Sequence, residues 1–574
     1  MYFNLKYKVK TNWHWLVLIS LAIIFFLGTS AFNYFSQDPD FVKWSSPDET
    51  ANYAMSKLYG QDKGLSYIEP NNLIASDIII PRSFRSDNGV VKPVSFLGMV
   101  LIYGQLASWL GTAIIPYLTP LFAAIGLIFF YLLIKEWFNK QIALFSAIML
   151  CFFPVYVYYS SRSMFHNVLF VDLLIFGLYF GVLMVKHKLF PPPGSILAEK
   201  RLHYLTWLYA GLSGLFIGMA ITTRSSELLW LVPLLIIIWL FNLKKIGLVR
   251  LFIWLYFLMI ALLPIMYWNT ILYHAPLNSG YSEVNQSIVS IVDNSENIVS
   301  TAVQAEYSQT KIFFKKWIDN IFYFGFKGWH SVKMFYYYFF LMFPWLFWLA
   351  GLGLILFLHN YKKTKQHWAY LTSYLAISVI LLFYYGSWIF YDNPDPNSFT
   401  IGNSYTRYWL PIYLGALPLA SLAIISITKI FKSKILINGT RIAIILIICS
   451  LSLQFVLVGS DEGLLPTFER NKLTRMQFDK ILELTEDNSI IITQYHDKLF
   501  FPERKVIVGL FTDDNMNIEY AKLAKQFPVY YYNFTLPDKD FDYLNNSKLK
   551  DVGLKIEIIE KITKDFTLYE IRLK

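Results

Sequence analysis

Residues 15–50 read WLVLISLAIIFFLGTSAFNYFSQDPDFVKWSSPDET. The stretch from Trp15 to Tyr34 carries no charge, and about twenty apolar residues are what a helix needs to cross a bilayer with its backbone polar groups paired internally. No small-x-small cleavage site follows, so the run reads as an anchor and not as a removable leader. Beyond it, Ser46-Pro47-Asp48-Glu49 has the pattern of a helix start. A serine caps, proline takes the first helical position and glutamate the third. An anchor followed by an ordered, acidic helix start sets the theme for the chain.

Working outward, ten further runs of similar length fall at roughly 114–134, 141–159, 165–185, 205–222, 227–242, 251–272, 334–357, 368–388, 407–428 and 442–459. The 574 residues are 56% hydrophobic and 16% charged, with mean hydropathy +0.43. Soluble domains carry roughly 25% charged residues, so lipid is the main solvent here. Disordered, collagen-like and disulfide-framework proteins are excluded. Cys151 and Cys449 both lie in apolar runs and read as small buried hydrophobes.

Placing the N-terminus in the cytoplasm puts 19 basic and two acidic residues in the inside segments. The outside loops up to residue 460 then hold 14 basic and 16 acidic residues. That asymmetry is the positive-inside rule, and the formal charge of +11 is topogenic. A nucleic-acid partner is not indicated.

Eleven spans place the C-terminus outside. Residues 461–574 hold 17 basic and 20 acidic residues, a composition of soluble type. Short β-rich runs such as Ser489–Thr493, Lys505–Leu510, Val529–Asn533 and Lys555–Ile559 alternate there with helical stretches. The expected architecture is therefore an α-helical polytopic membrane domain, 1–460, and a small extracytoplasmic α/β domain, 461–574. Two outside loops are long, 35–113 and 273–333, and long loops tend to be structured or functional. In the first, Ser46–Gly60 reads as a helix. So does the apolar face Phe96, Met99, Val100, Tyr103, Leu106, Ala107, Leu110, expected to lie on the membrane surface.

Asp48 and Glu49 head the first of these helices. Acids there favour the helix dipole and close a capping box, which is the first reading of the pair; the second makes Asp48 a general base towards a hydroxyl. Lys92, Arg224 and Arg407 sit at outer helix ends. Snorkelling accounts for such residues in general, but cations converging on the outer surface would also suit a lipid phosphate. Lone outside histidines, His166, His274 and His330, read as structural.

Pro47-Asp48-Glu49, Lys92-Pro93, Thr223-Arg224 after a Gly-rich span, Phe343-Pro344-Trp345 and Arg407-Tyr408-Trp409-Leu410-Pro411 occur in this order. In that order and topology the chain resembles the membrane glycosyltransferases of fold type C. It is most similar to the dolichyl-phosphate-mannose:protein mannosyltransferases and the lipid A aminoarabinose transferases, over about residues 10–430. The resemblance implies an inverting transfer of a sugar from a polyprenyl-phosphate donor to an acceptor hydroxyl of a protein, lipid or glycan. It implies Asp48 as base with Glu49 beside it, and Lys92, Arg224 and Arg407 on the donor phosphate, at the outer face of the plasma membrane. Many relatives carry an acid near Asn167, and an amide cannot replace it as a carboxylate base or hard anionic ligand. No cofactor is implied with certainty, and a divalent metal stays open. The alternative from another class is a transporter or flippase for a lipid-linked or small polar solute. It would show internal repeats and midplane charges, whereas Asp172 is the one clear mid-span acid in the sequence.

Overall fold

The structure, a computed structural model, describes residues 2–38, 41–186, 196–280, 322, 325–390, 392, 398–459 and 461–574. Most of the long loop 273–333 therefore lies outside the described residues. Two compact units are resolved by contacts. One comprises Met1–Asn33, Pro116–Pro264 and Ile291–Thr467, the other Tyr34–Ile115, Ile265–Ser290 and Phe468–Lys574.

The first unit carries most of the apolar helices. Among the described residues nine helices are long and apolar enough to cross a membrane, and eleven if each of two bent pairs is one span. The run Leu248–Tyr273 has only 6% of its most apolar window buried. Phe252 and Leu263 lie more than half exposed. A helix apolar all round and open on most sides is stable only in hydrocarbon. The chain is an integral membrane protein.

Two expected continuous spans are broken. The run 141–159 bends by 51° between Lys140–Cys151 and Pro154–Ser161, and 334–357 bends by 98° between Gly328–Leu341 and Pro344–His359. In each case a proline opens the second helix, and the residue before it, Phe153 or Phe343, is non-helical. Proline has no N–H to continue the ladder and pushes its predecessor out of the helical region. The expected span 407–428 also begins later. Arg407 belongs to a separate short helix, Ser404–Tyr408, and the long helix is Leu410–Ile427.

The second unit contains two sheets. A small one joins β1 (Tyr67–Ile68), β2 (Phe84–Asp87) and β3 (Val90–Pro93) in the order β1-β3-β2, all antiparallel. The larger joins β4 (Ile490–Thr493), β5 (Lys505–Val508), β6 (Val529–Phe534), β7 (Leu554–Lys561) and β8 (Phe566–Leu573) in the order β5-β4-β6-β8-β7. β4 pairs in parallel with β5 and β6, while β8 is antiparallel to both β6 and β7. The sequence reading does not name β8.

β4 is buried throughout, as a central strand covered on both faces must be. Ile490 and Ile492 enter one core and Ile491 the other. The first long loop contributes to both, with Ala75 and Ile79 on one face and Phe41 on the other. The loop also holds the helices Pro47–Asp62 and Leu97–Leu110. These pack closely through Gly104, where a Cβ would come within 2.8 Å of the Tyr59 ring and 3.0 Å of the Ser56 carbonyl oxygen. Leu110 of the expected apolar face is 67% exposed, outside that contact.

Candidate functional site

The acidic helix start forms as its sequence dictates. Glu49 is fully buried, and its Oε2 accepts the Ser46 backbone N–H at 3.0 Å. That bond satisfies a donor the helix itself leaves orphaned. Glu49 is thus committed to the helix start. Asp48 is only partly buried, and its Oδ1 accepts a hydrogen bond from Ser83 Oγ at 2.8 Å. Of the two acids, Asp48 is the more accessible.

Lys92, on β3, is 4% exposed and lies in the same unit. Its Nζ donates to the Leu272 carbonyl oxygen at 2.7 Å, lies 2.5 Å from Asp87 Oδ2 and sits 5.3 Å from the centre of the Tyr273 ring. Burial alone would raise the Asp87 carboxyl, but the hydrogen bond and charge of Lys92, with Arg85, bring it below the ordinary carboxylate value. Lys92 is a buried, paired ammonium and not a snorkelling one.

Arg224 and Arg407 come together in the first unit. Both guanidinium groups stack on the ring of Tyr408, at 4.9 Å and 5.0 Å. Asn167 joins them: its Oδ1 lies 3.5 Å from Arg224 Nη1, and its Nδ2 donates to the Arg407 carbonyl oxygen at 3.2 Å. Arg224 is 7% exposed and pairs with Glu227, Nε to Oε1 at 2.9 Å. Tyr385 donates to the same Oε1 at 2.6 Å, and the Trp230 indole N–H donates to Oε2. Arg407 also stacks on Phe165 at 4.6 Å and donates to Ser404 Oγ at 2.8 Å.

A third arginine extends the row. Arg162 lies 5.2 Å from the Phe165 ring and donates to Tyr158 OH at 2.8 Å. The order is Arg162, Phe165, Arg407, Tyr408, Arg224, cations and rings in alternation. Sequence reasoning missed Arg162 and Glu227 as members. Glu227 had a local signal, since residues three apart meet on a helical turn. Nearby, Glu462 Oε2 accepts the Gly402 N–H at 3.1 Å and the Thr400 hydroxyl. A Cβ on Gly402 would collide with that carboxylate at 2.3 Å.

An apolar cavity of about 380 Å³ lies in the same unit, with Trp230, Pro411, Leu174, Trp254, Tyr374 and Trp137 in its wall. Trp230 is shared: one side lines the cavity while its N–H reaches Glu227. Tyr337 is stacked on Phe399 at 3.9 Å and Tyr338 lies against Tyr405 at 5.1 Å. His330 Nε2 lies 3.0 Å from Tyr405 OH, and His166 is buried. Among the described residues no three His, Cys, Asp or Glu side chains gather as a metal site. Asp172, fully buried, accepts a hydrogen bond from Tyr156 OH at 2.8 Å.

Broken spans, a long ordered loop after the first helix and a mixed C-terminal sheet define a polytopic membrane protein with the fold of the type C glycosyltransferases. Its solved neighbours include the oligosaccharyltransferase of Archaeoglobus fulgidus, at 12% identity and TM-score 0.53, matched over 94% of this chain and 71% of that one. They also include ArnT of Cupriavidus metallidurans in the apo state, at 12% identity and TM-score 0.51, matched over 98% of both chains. No protein-family model and no curated protein sequence matches this chain.

Proposed function

We propose that the chain is an inverting glycosyltransferase that moves a sugar from a polyprenyl-phosphate donor to an acceptor hydroxyl on the outer face of the plasma membrane. The observation that carries this reading is the row of arginines and rings beside the apolar cavity in one unit. An anion-binding set against an apolar volume matches an amphiphile with a phosphate head and a prenyl tail. Stacking holds a guanidinium by its face while its N–H groups lie in its plane, the geometry that recognises phosphate oxygens. Solved neighbours support the same class. The Archaeoglobus fulgidus oligosaccharyltransferase has been solved tethered to an acceptor peptide, and the oligosaccharyltransferase AglB of the same organism in complex with dolichol phosphate and an inhibitory peptide, the latter at TM-score 0.50.

In this reading Asp48 takes the proton of the attacking hydroxyl. Arg224 and Arg407 stabilise the charge that develops on the leaving phosphate. A sugar phosphate is already a good leaving group, so a base and cations supply what the step needs. Glu49 shapes the helix start that presents Asp48. Lys92, assigned to the donor phosphate by the resemblance, is here paired with Asp87.

The test is purified protein in liposomes given a panel of labelled polyprenyl-phosphate sugars and a mixture of protein, lipid and glycan acceptors. Transfer of label is expected from one donor, and Asp48→Asn should lower it by roughly 10²–10⁴-fold with folded yield retained. Solute or lipid movement without transfer would favour the transporter reading. A cysteine placed at Lys498 should react with an impermeant reagent from outside, and one at Lys363 should be spared. The reverse pattern would place the site on the wrong side.

A further inference from the structure

The second unit ties the partly buried Asp48 to the C-terminal segment through one short relay. Asp497 follows β4 and is fully buried. It grips Arg82 by both main chain and side chain: the Arg82 backbone N–H donates to Oδ2 at 2.9 Å, Nε to Oδ1 at 3.1 Å and Nη2 to Oδ1 at 2.5 Å. Arg82 Nη2 also donates to the Tyr495 carbonyl oxygen at 3.2 Å. Fixing the Arg82 peptide fixes its neighbour. Ser83 has φ +65°, a left-handed conformation that a serine adopts only where its surroundings hold it. Its carbonyl oxygen accepts the Val94 N–H at 3.0 Å, and its hydroxyl is the group that donates to Asp48.

A second clasp lies on the other side of Asp48 in the sequence. Lys43 Nζ donates to the Phe501 carbonyl oxygen at 2.6 Å and pairs with Glu503. The Phe501 ring packs 5.2 Å from that of Phe84, next to Ser83. Residues 497–503 thus hold the chain both before Asp48 and around its hydrogen-bond donor.

We propose that Asp497, Arg82 and Ser83 are positioning residues for Asp48, so that the C-terminal domain sets the orientation of the carboxylate that deprotonates the acceptor. This rests on the reading of Asp48 as the base. One carboxylate oxygen is held by Ser83, which leaves the other to face the hydroxyl. An unheld carboxylate would rotate, and proton transfer depends on its geometry first. None of these three residues contacts substrate in this scheme.

The test uses the full chain in liposomes. Ser83→Ala keeps the backbone demand and removes the hydroxyl, and should lower kcat about tenfold with donor KM unchanged. Asp497→Asn should do at least as much. Since it could also unfold the domain, Arg82→Lys, which keeps charge but loses the forked grip, serves as the milder variant and should fall between wild type and Asp497→Asn. Each change is then repeated on Asp48→Asn. If they act through Asp48, they add no further loss to that variant's residual rate. Equal losses on both backgrounds, or a wild-type kcat for Ser83→Ala, would overturn the positioning role while leaving Asp48 as base. A near-wild-type rate for Asp48→Asn alone would instead overturn the base reading, and the relay with it.

Discussion

Charge follows one rule along the arginine row of the first unit and another in the long-range ion pairs of the second. In the first, Arg162, Arg407 and Arg224 lie on aromatic faces, and one carboxylate, Glu227, sits beside the row's innermost member. In the second, ion pairs join segments far apart in sequence: Asp38 with Arg475, Lys43 with Glu503, Arg82 with Asp497. A ring face steadies a cation without neutralising it, whereas a carboxylate does neutralise it. The first arrangement suits the anionic ligand proposed above. The second uses charge to fix the register of a fold. Under the proposed function, ligand binding falls to the first of these arrangements and orientation of Asp48 to the second.

Arg224 is where the two rules meet, and breaking it should have the largest effect. It is buried with Glu227, so Arg224→Gln strands a carboxylate. Breaking one partner of a buried pair costs about 3–5 kcal/mol. The expected outcome is poor recovery of folded protein and no measurable transfer. Arg224→Gln with Glu227→Gln should restore much of the fold, read as monodisperse protein in detergent, but not transfer. Restored transfer in the double variant would make the pair purely structural.

Arg407 should separate charge from fold more cleanly, since rings and a serine hydroxyl steady it. Lysine keeps the charge but stacks and forks poorly, and glutamine loses both. Donor titration at fixed acceptor should rank wild type above lysine above glutamine. A charge-assisted hydrogen bond contributes about 1.5–3 kcal/mol, so glutamine should lose on the order of tenfold to a hundredfold in donor use. Thermal stability should stay near wild type. Wild-type donor dependence for glutamine would move the phosphate site elsewhere.

How much of this the sequence carried depends on the reach of each interaction. The Ser46–Glu49 helix start is local chemistry, and the helix Pro47–Asp62 follows it. Apolar run length located the membrane helices, but it counted through Pro154 and Pro344, where the chain turns. β4 to β7 were legible as β-rich runs. β8, whose partners lie on both sides of it, was not named. Lys92 looked like a helix-end cation because its partner Asp87 meets it only once β2 and β3 pair. Arg82 and Asp497 are 415 positions apart, and no pattern in either segment announces the other. Arg162 and Arg407 share Phe165 for the same unreadable reason.

The smallest expected effect concerns acid, and it should touch the second unit. His496 sits between the rings of Tyr532 and Phe566, at 4.9 Å and 4.7 Å, and its Nδ1 has no hydrogen-bond partner among the described residues. Burial there, helped by Lys498, pushes its imidazole down from 6.5 to about 4. The unfolded chain therefore binds a proton between those values that the folded unit refuses, and stability falls as pH drops through that window. At pH 5.5 the loss should be on the order of 1 kcal/mol. His496→Phe keeps a ring of similar shape in the aromatic slot and removes the titration. Its unfolding midpoint should vary less between pH 6.5 and 4 than that of the wild type, while the two coincide more closely in slope above pH 7. A residual acid loss is expected at lower pH. There burial would raise the Asp497 carboxyl, but Arg82 holds it below its ordinary value, and protonation releases that grip. Identical pH slopes for His496→Phe and wild type from pH 6.5 to 4 would mean that the histidine is protonated in its slot, and that the second unit does not exclude charge there.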